Sequence, residues 1–167
     1  MNETVKKVIK ELMSYVVIVL VVLFIKFFIV SPIRVNGNSM DATLKDNDLM
    51  LLNEIVYRFS DIKRNDIVVV REDDEYIIKR IIGLPGEKIA CDSGIIYING
   101  KKYDDKFALN ETSDFELVTL KSDEYFVLGD NRKVSLDSRF FGPYKKSDIR
   151  GRASFTIFPF SRFGSKK

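Results

Sequence analysis

Tyr76-Ile77-Ile78-Lys79-Arg80-Ile81-Ile82-Gly83-Leu84-Pro85-Gly86-Glu87 reads as one buried β-strand ending in a sharp reversal. Its four isoleucines are β-branched and suit a packed, pleated surface, and Gly83-Leu84-Pro85-Gly86 is a turn signal. Two cations interrupt the apolar run. Successive side chains on a strand point to opposite faces, so at least one of Lys79 and Arg80 must head into an otherwise apolar layer. A desolvated lysine is disfavoured in its charged form, and its pKa falls from about 10.4. Acting as a general base near pH 8 would take about 3–4 kcal/mol of such destabilisation, which burial among isoleucines can supply. The segment by itself leaves a second reading open, in which Lys79 reaches a sheet edge and pairs with an acid such as Asp74.

Outward from this strand, short runs with alternation or β-branched enrichment recur at residues 48–53, 66–71, 95–98, 115–120, 124–128 and 152–158. Asn99-Gly100 between two such runs is a two-residue hairpin signal, because a type I′ turn needs positive φ at both central positions. No internal repeat, low-complexity tract or long amphipathic helical period follows residue 31. The expected fold is mainly β, built of antiparallel sheets. Residues 99–125 contain a polar, irregular stretch and are expected to hold a variable insertion.

The first thirty residues differ in kind. Residues 12–30 are apolar on all sides, interrupted by Ser14, whose hydroxyl can bond back into a helix, and by Lys26, which can snorkel. Nineteen residues make about 28 Å of helix, close to the roughly 30 Å of a bilayer core. The expected organisation is a short cytoplasmic N-terminus (1–11), one transmembrane helix (12–30) and an extracytoplasmic β-rich domain (31–167). Lys6, Lys7 and Lys10 precede the span and favour a cytoplasmic N-terminus. A cleaved signal peptide is the main competing reading, but the exit Phe28-Ile29-Val30-Ser31-Pro32 offers no small-residue cleavage site. A buried core helix is the third.

Composition removes many function classes. The chain of 167 residues has no histidine, so Ser-His-Asp, Cys-His, His-zinc and haem-proximal chemistry are all impossible within it. The single cysteine, Cys91, cannot form an internal disulfide and reads as a loop or core residue. A net charge of +3 lacks the basic stripe of a nucleic-acid surface. With the four lysines and two glutamates of the first thirty residues set aside, 23 basic and 22 acidic residues remain. The domain after the span is therefore nearly neutral.

Two further segments carry chemistry-bearing side chains. Val35-Asn36-Gly37-Asn38-Ser39-Met40-Asp41-Ala42-Thr43-Leu44 puts a serine just after a glycine-containing turn. Gly129-Asp130-Asn131-Arg132-Lys133-Val134-Ser135-Leu136-Asp137-Ser138-Arg139-Phe140-Phe141-Gly142 is a loop dense in hydrogen-bonding groups after the apolar run EYFVL. Its acids lack the spacing and closing glutamate of a calcium loop, so no metal is expected.

Taken in order, VNGNSMDATL, RNDIVVV, IIKRIIGLPGE and GDNRKVSLDSRFFG resemble the boxes of the type I signal peptidases, membrane-anchored serine proteases that remove signal peptides from exported preproteins. The resemblance covers the anchor and nearly all of residues 31–160. It implies a signal-peptidase-like β fold, Ser39 as nucleophile and Lys79 as its general base, a dyad that needs no histidine. It implies that Ser135 orients the lysine amine. Asp130, Arg132, Asp137 and Arg139 become structural support, and the oxyanion donors become the Ser39 N–H and a group at Gly37. Substrate pockets fall at Ile33, Val35, Met40, Leu44 and Ile78, all apolar and suited to Ala-x-Ala. No cofactor is implied; the partners are preprotein signal peptides and the lipid bilayer, and the chain is expected to act as a monomer. Gly37 resembles the Gram-positive style of the family, so a bacterial cytoplasmic membrane is the expected location. Two departures stand out: Ala42 where the family commonly has Pro, expected to loosen the turn modestly, and Asn65 where Gly is usual, which also tolerates turn conformations. Two other readings remain open: a catalytically silent relative serving assembly of surface structures such as pili, and a self-cleaving repressor-type Ser-Lys protease.

Overall fold

The hairpin of β3 (Ile67–Glu72) and β4 (Glu75–Gly83) forms the centre of the molecule in the computed structural model, which describes residues 3–28 and 30–166, with the side chains of 24–28 outside the description. β4 carries the isoleucine-rich segment, and Val68, Val70, Ile81 and Ile82 on the two strands are fully buried, as β-branched runs in a central hairpin should be. β3 pairs antiparallel with β11 (Ile149–Phe158), which pairs in turn with β2 (Leu49–Asn53), and β2 pairs with β1 (Val30–Arg34). On its other side β4 pairs with β9 (Glu124–Leu128), which carries the short β10 (Tyr144–Lys145). A further two-residue strand at the C-terminal end, β12 (Gly164–Ser165), pairs with β11.

A second sheet runs β7 (Lys101–Lys102), β6 (Ile95–Ile98), β5 (Lys88–Asp92), β8 (Phe115–Thr119). Asn99 and Gly100 join β6 to β7 with φ of 52° and 76°, the type I′ turn that the dipeptide predicts. Ile82, Phe126 and Leu128 of the first sheet pack with Ile89, Cys91 and Ile96 of the second in one apolar cluster. Phe115 stacks on Phe126 with ring centroids 5.0 Å apart. The fold is thus mainly antiparallel β, as expected. β5 escaped the sequence reading because KIACD is short, charged at both ends and has only three apolar residues between them.

Residues 99–125, where the variable insertion is expected, are built into the fold. They supply β7 and β8 to the second sheet, and the irregular stretch between these strands is tied to the loop that follows β9: Leu109 N donates to Asp130 O at 2.8 Å and Asn110 Nδ2 to Asn131 Oδ1 at 2.9 Å.

The N-terminal helix α1 (Glu3–Phe28) includes most of the predicted span, with Ser14 Oγ donating to Lys10 O at 2.9 Å. Among the described residues no helix is long and apolar enough to cross a membrane; residues 24–28 of the predicted span lie outside the described side chains, and Ile29 outside the described residues. Val30, the last residue of that span, belongs to β1. From Leu12 to Leu23 every apolar side chain is exposed, between 41% and 68%.

Candidate active site

Residues 35–48 leave β1 and return to β2 as a loop closed at its neck, where Val35 N donates to Asp48 O and Asn47 N to Val35 O, each at 2.8 Å. Within it Leu44 N donates to Met40 O at 2.8 Å, a single helical turn that drives Met40 and Leu44 into the core and leaves the preceding Ser39 at the surface of the apolar cluster. The peptide bond Asp41–Ala42 is cis. β4 brings the second partner: Lys79 Nζ lies 2.8 Å from Ser39 Oγ.

Lys79 is 4% exposed, and among the described residues it has no ion-pair partner, so the pairing with Asp74 does not form. Burial holds its pKa down to about 8; the charges of Asp137 and Asp130 act against this, and that of Arg139 with it. Arg80, its neighbour, is also buried, with its side chain fully enclosed. Arg80 Nε and Nη2 donate to the two carboxylate oxygens of Asp130 at 2.8 and 2.7 Å, Nη1 donates to Asn65 O at 2.9 Å, and the guanidinium stacks on the Phe107 ring at 3.8 Å. Asp130 Oδ2 also accepts from Thr43 Oγ1 at 2.5 Å, so this ion pair joins the lysine strand to the serine loop. Asn65 has a φ of 71°, the turn conformation that Asn tolerates in place of Gly.

The loop after β9 packs against the same serine. Asn131 N donates to Ser39 O at 2.9 Å, and an ideal Cβ on Gly129 would sit 2.5 Å from Ser39 O and 2.2 Å from Ser135 Oγ. Only a glycine lets the chain approach this closely. Asp137 caps α3 (Ser138–Phe141) and accepts from Gly129 N at 3.0 Å and from Arg139 Nε and Nη2 at 2.8 and 2.9 Å. Arg139 also donates to the carbonyls of Arg132 and Ser135. Arg132 finds its ion-pair partner outside the loop; it donates to Gly129 O at 2.8 Å and, from the other end of its guanidinium, to Thr112 Oγ1 and Asp105 Oδ2 at 2.5 Å each.

Two expected roles look different here. The Ser135 hydroxyl is buried and has no hydrogen-bond partner among the described residues, so it does not hold the Lys79 amine in this arrangement. Gly37, at φ 81°, donates its N–H to Asp46 Oδ1 at 2.8 Å, which commits the donor that the resemblance assigns to the oxyanion. The five expected pocket residues do share one cluster: Val35, Met40 and Leu44 are closed off at 2%, 1% and 0% exposure, whereas Ile33 and Ile78 pack on its margin and keep some surface.

The sequence reading assigned no role to Arg80, Thr43, Asp46, Asp105, Phe107 or Thr112. Only Arg80 left a signal, since an arginine in an apolar strand demands a buried counter-charge.

A family model described as "Signal peptidase, peptidase S26" matches residues 7–158. The chain belongs to the signal peptidase family. Among its relatives, signal peptidase I of Bacillus amyloliquefaciens is 37% identical over 92% of this chain and 90% of its own length, and signal peptidase IB of Staphylococcus aureus strain Mu50 is 37% identical over 92% and 93%. The crystal structure of a signal peptidase I from Enterococcus faecalis is similar with a TM-score of 0.50 and 32% identity, covering 56% of this chain and 97% of that one. As a signal peptidase family member, the chain belongs to a class of hydrolases that cut peptide bonds, and its buried amine and serine hydroxyl in contact suit that class without histidine.

Proposed function

We propose that this protein is a membrane-anchored serine endopeptidase that cleaves signal peptides from exported preproteins, with Ser39 as nucleophile and Lys79 as general base. The 2.8 Å contact between Lys79 Nζ and Ser39 Oγ in a histidine-free chain carries this reading. An amine held down to about 8 is neutral in an appreciable fraction near pH 7.5 and can accept a proton. Lys79 takes the Ser39 proton as Oγ attacks the scissile carbonyl carbon, then gives it to the departing amine. A water activated by the same lysine then hydrolyses the acyl-enzyme.

The Ser39 N–H stabilises the oxyanion. Ser135 supplies a hydroxyl to the lysine amine once its side chain turns toward it, which its unpartnered state leaves it free to do. Asp130, Arg132, Asp137 and Arg139 hold the two loops in register. Ile33 and Ile78 form the accessible wall of shallow apolar pockets backed by Val35, Met40 and Leu44, which suits small side chains and an Ala-x-Ala preference.

The anchor reading rests on α1, whose apolar side chains from Leu12 to Leu23 are exposed on all sides. Such a surface is stable in lipid and costly in water. With the N-terminus cytoplasmic, the β domain lies on the outer face of a bacterial membrane; the relatives in Bacillus and Staphylococcus support a Gram-positive type.

The test is cleavage of a preprotein with an Ala-x-Ala site, in detergent, by the unmodified chain, Ser39→Ala and Lys79→Ala. Cleavage lost in both folded variants supports the dyad. A folded but inactive unmodified chain points instead to a silent assembly factor.

A further inference from the structure

Beyond the Ser39 site, the strongest unassigned feature is a cavity of about 370 Å³ where β11 of the larger sheet passes the start of β3 and the short β12, lined in part by Lys63, Asp66, Arg152, Ser154, Ser165 and Lys166. Its charge is unbalanced. Arg64, also on its wall, is paired with Glu87 at 2.5 Å, but Lys63 and Lys166 have no ion-pair partner among the described residues. Three cations therefore face one carboxylate, Asp66, whose Oδ1 lies 3.7 Å from Arg152 Nη1 and whose Oδ2 already accepts from Tyr57 Oη and Lys63 N.

Arg152 Nε is buried and has no acceptor among the described residues. The rest of the Arg152 side chain stays 36% exposed, so its guanidinium can take an acceptor from outside the chain through its open face. Two ammonium groups and two serine hydroxyls beside it make a donor set that fits a tetrahedral oxyanion.

The register places this cavity close to where α1 enters the sheet. Arg152 pairs with Asn53, and Asn53 with Val30, so Arg152 is two strand spacings, about 10 Å, from the first strand residue after the helix. The short helix α2 (Val56–Phe59) follows Asn53 there and presents Arg58 beside Phe59, whose ring is 83% exposed. Cations next to an exposed aromatic ring are the side chains of a membrane interface.

We propose that this cavity binds the phosphate of an anionic phospholipid headgroup, with Arg152 at its centre and Lys63 and Lys166 closing over it. The lipid source rests on the membrane-anchored reading above; the phosphate chemistry does not. Occupancy would fix the height and tilt of the β domain relative to the bilayer surface.

Binding is measured on the full chain carrying Ser39→Ala, in neutral detergent at constant ionic strength, by calorimetry with dihexanoyl phosphatidylglycerol, dihexanoyl phosphatidylcholine and inorganic phosphate. Phosphatidylglycerol is expected to bind at least about tenfold more tightly than phosphatidylcholine, to be displaced by phosphate, and to lose about tenfold or more in Lys63→Gln/Lys166→Gln and in Arg152→Gln. The lysine pair keeps the test valid if Arg152→Gln unfolds, because Lys63 is exposed and Lys166 only half-buried. Binding of phosphate without phosphatidylglycerol overturns the lipid assignment. Equal binding by the lysine double variant, or no binding of either ligand, overturns the site. No catalysis enters this measurement, so its failure and a failure of the Ser39 cleavage assay are separate results.

Discussion

Arg80 and Asp130, fifty residues apart, form a doubly hydrogen-bonded ion pair with both side chains fully enclosed. Thr43 joins it through Asp130 Oδ2, so the pair binds the strand of Lys79 to the loop of Ser39. Removing one partner leaves the other charged and buried. Asp130→Ala is therefore expected to cost about 3–5 kcal/mol of folding stability, read as a lower urea midpoint with unchanged slope. An Asp130→Ala protein with the parent's midpoint would contradict the pairing.

The pH dependence follows from Lys79. In the proposed mechanism the reactive form is the neutral amine, so kcat/KM is expected to rise about tenfold per pH unit below about 8 and to level off above it. A flat profile between about pH 6 and 9 with chemistry rate-limiting would exclude a lysine base.

The same group makes a stability prediction of known sign. Its pKa is lower in the folded chain, at about 8, than the ordinary lysine value of 10.5, so between these values the unfolded chain binds more protons and stability rises with pH. Below about 8 the full penalty of burying the charge is present. Lys79→Met should therefore be more stable than the parent at pH 7, by up to about 3 kcal/mol, with the gap closing toward pH 10.5. Equal urea midpoints for the two proteins at pH 7 would argue that the lysine is not desolvated.

Gly129 has no room for a methyl group, since an added Cβ would fall 2.2 Å from Ser135 Oγ and 2.5 Å from Ser39 O. Gly129→Ala should push the loop off the Ser39 turn and abolish the proposed cleavage, with a drop in melting temperature as the second readout. Retained activity would show that the loop does not position Ser39.

Cys91 is buried with its thiol pKa pushed up to about 11, chiefly by burial and then by the Asp114 charge. The thiolate is the reactive species, so a thiol reagent at pH 8 should label the native protein slowly and the urea-unfolded protein fast. Rapid labelling of the native chain would place Cys91 at an accessible surface.

Much of the fold was legible because its signals are local. Residues 76–83 announce a buried strand by β-branching alone, and Asn99-Gly100 announces its turn by the φ it needs; both appear as read. β5 and the one-turn helices α2 and α3 were not, since each is too short to show a period and is held by its neighbours. Lys79 and Ser39 stood out as residue types in distinctive settings. Their contact, with forty residues between them, is a product of folding. The contacts of the stretch between β7 and β8 were hidden for the same reason. Asp105, Phe107 and Thr112 look like an unremarkable polar loop until Arg132 and Arg80 arrive from elsewhere to meet them.

By itself, then, the sequence determined most of the longer strands, the hairpin, the apolar helix and the absence of any histidine chemistry, because period, propensity and composition act between near neighbours. The tertiary structure alone decided which buried cation meets the serine and which meets an aspartate, that the Gly37 N–H is taken by Asp46, and that three cations share a cavity near the helix exit. Those outcomes depend on burial and on distances between residues remote in the chain, and local preference carries no information about either.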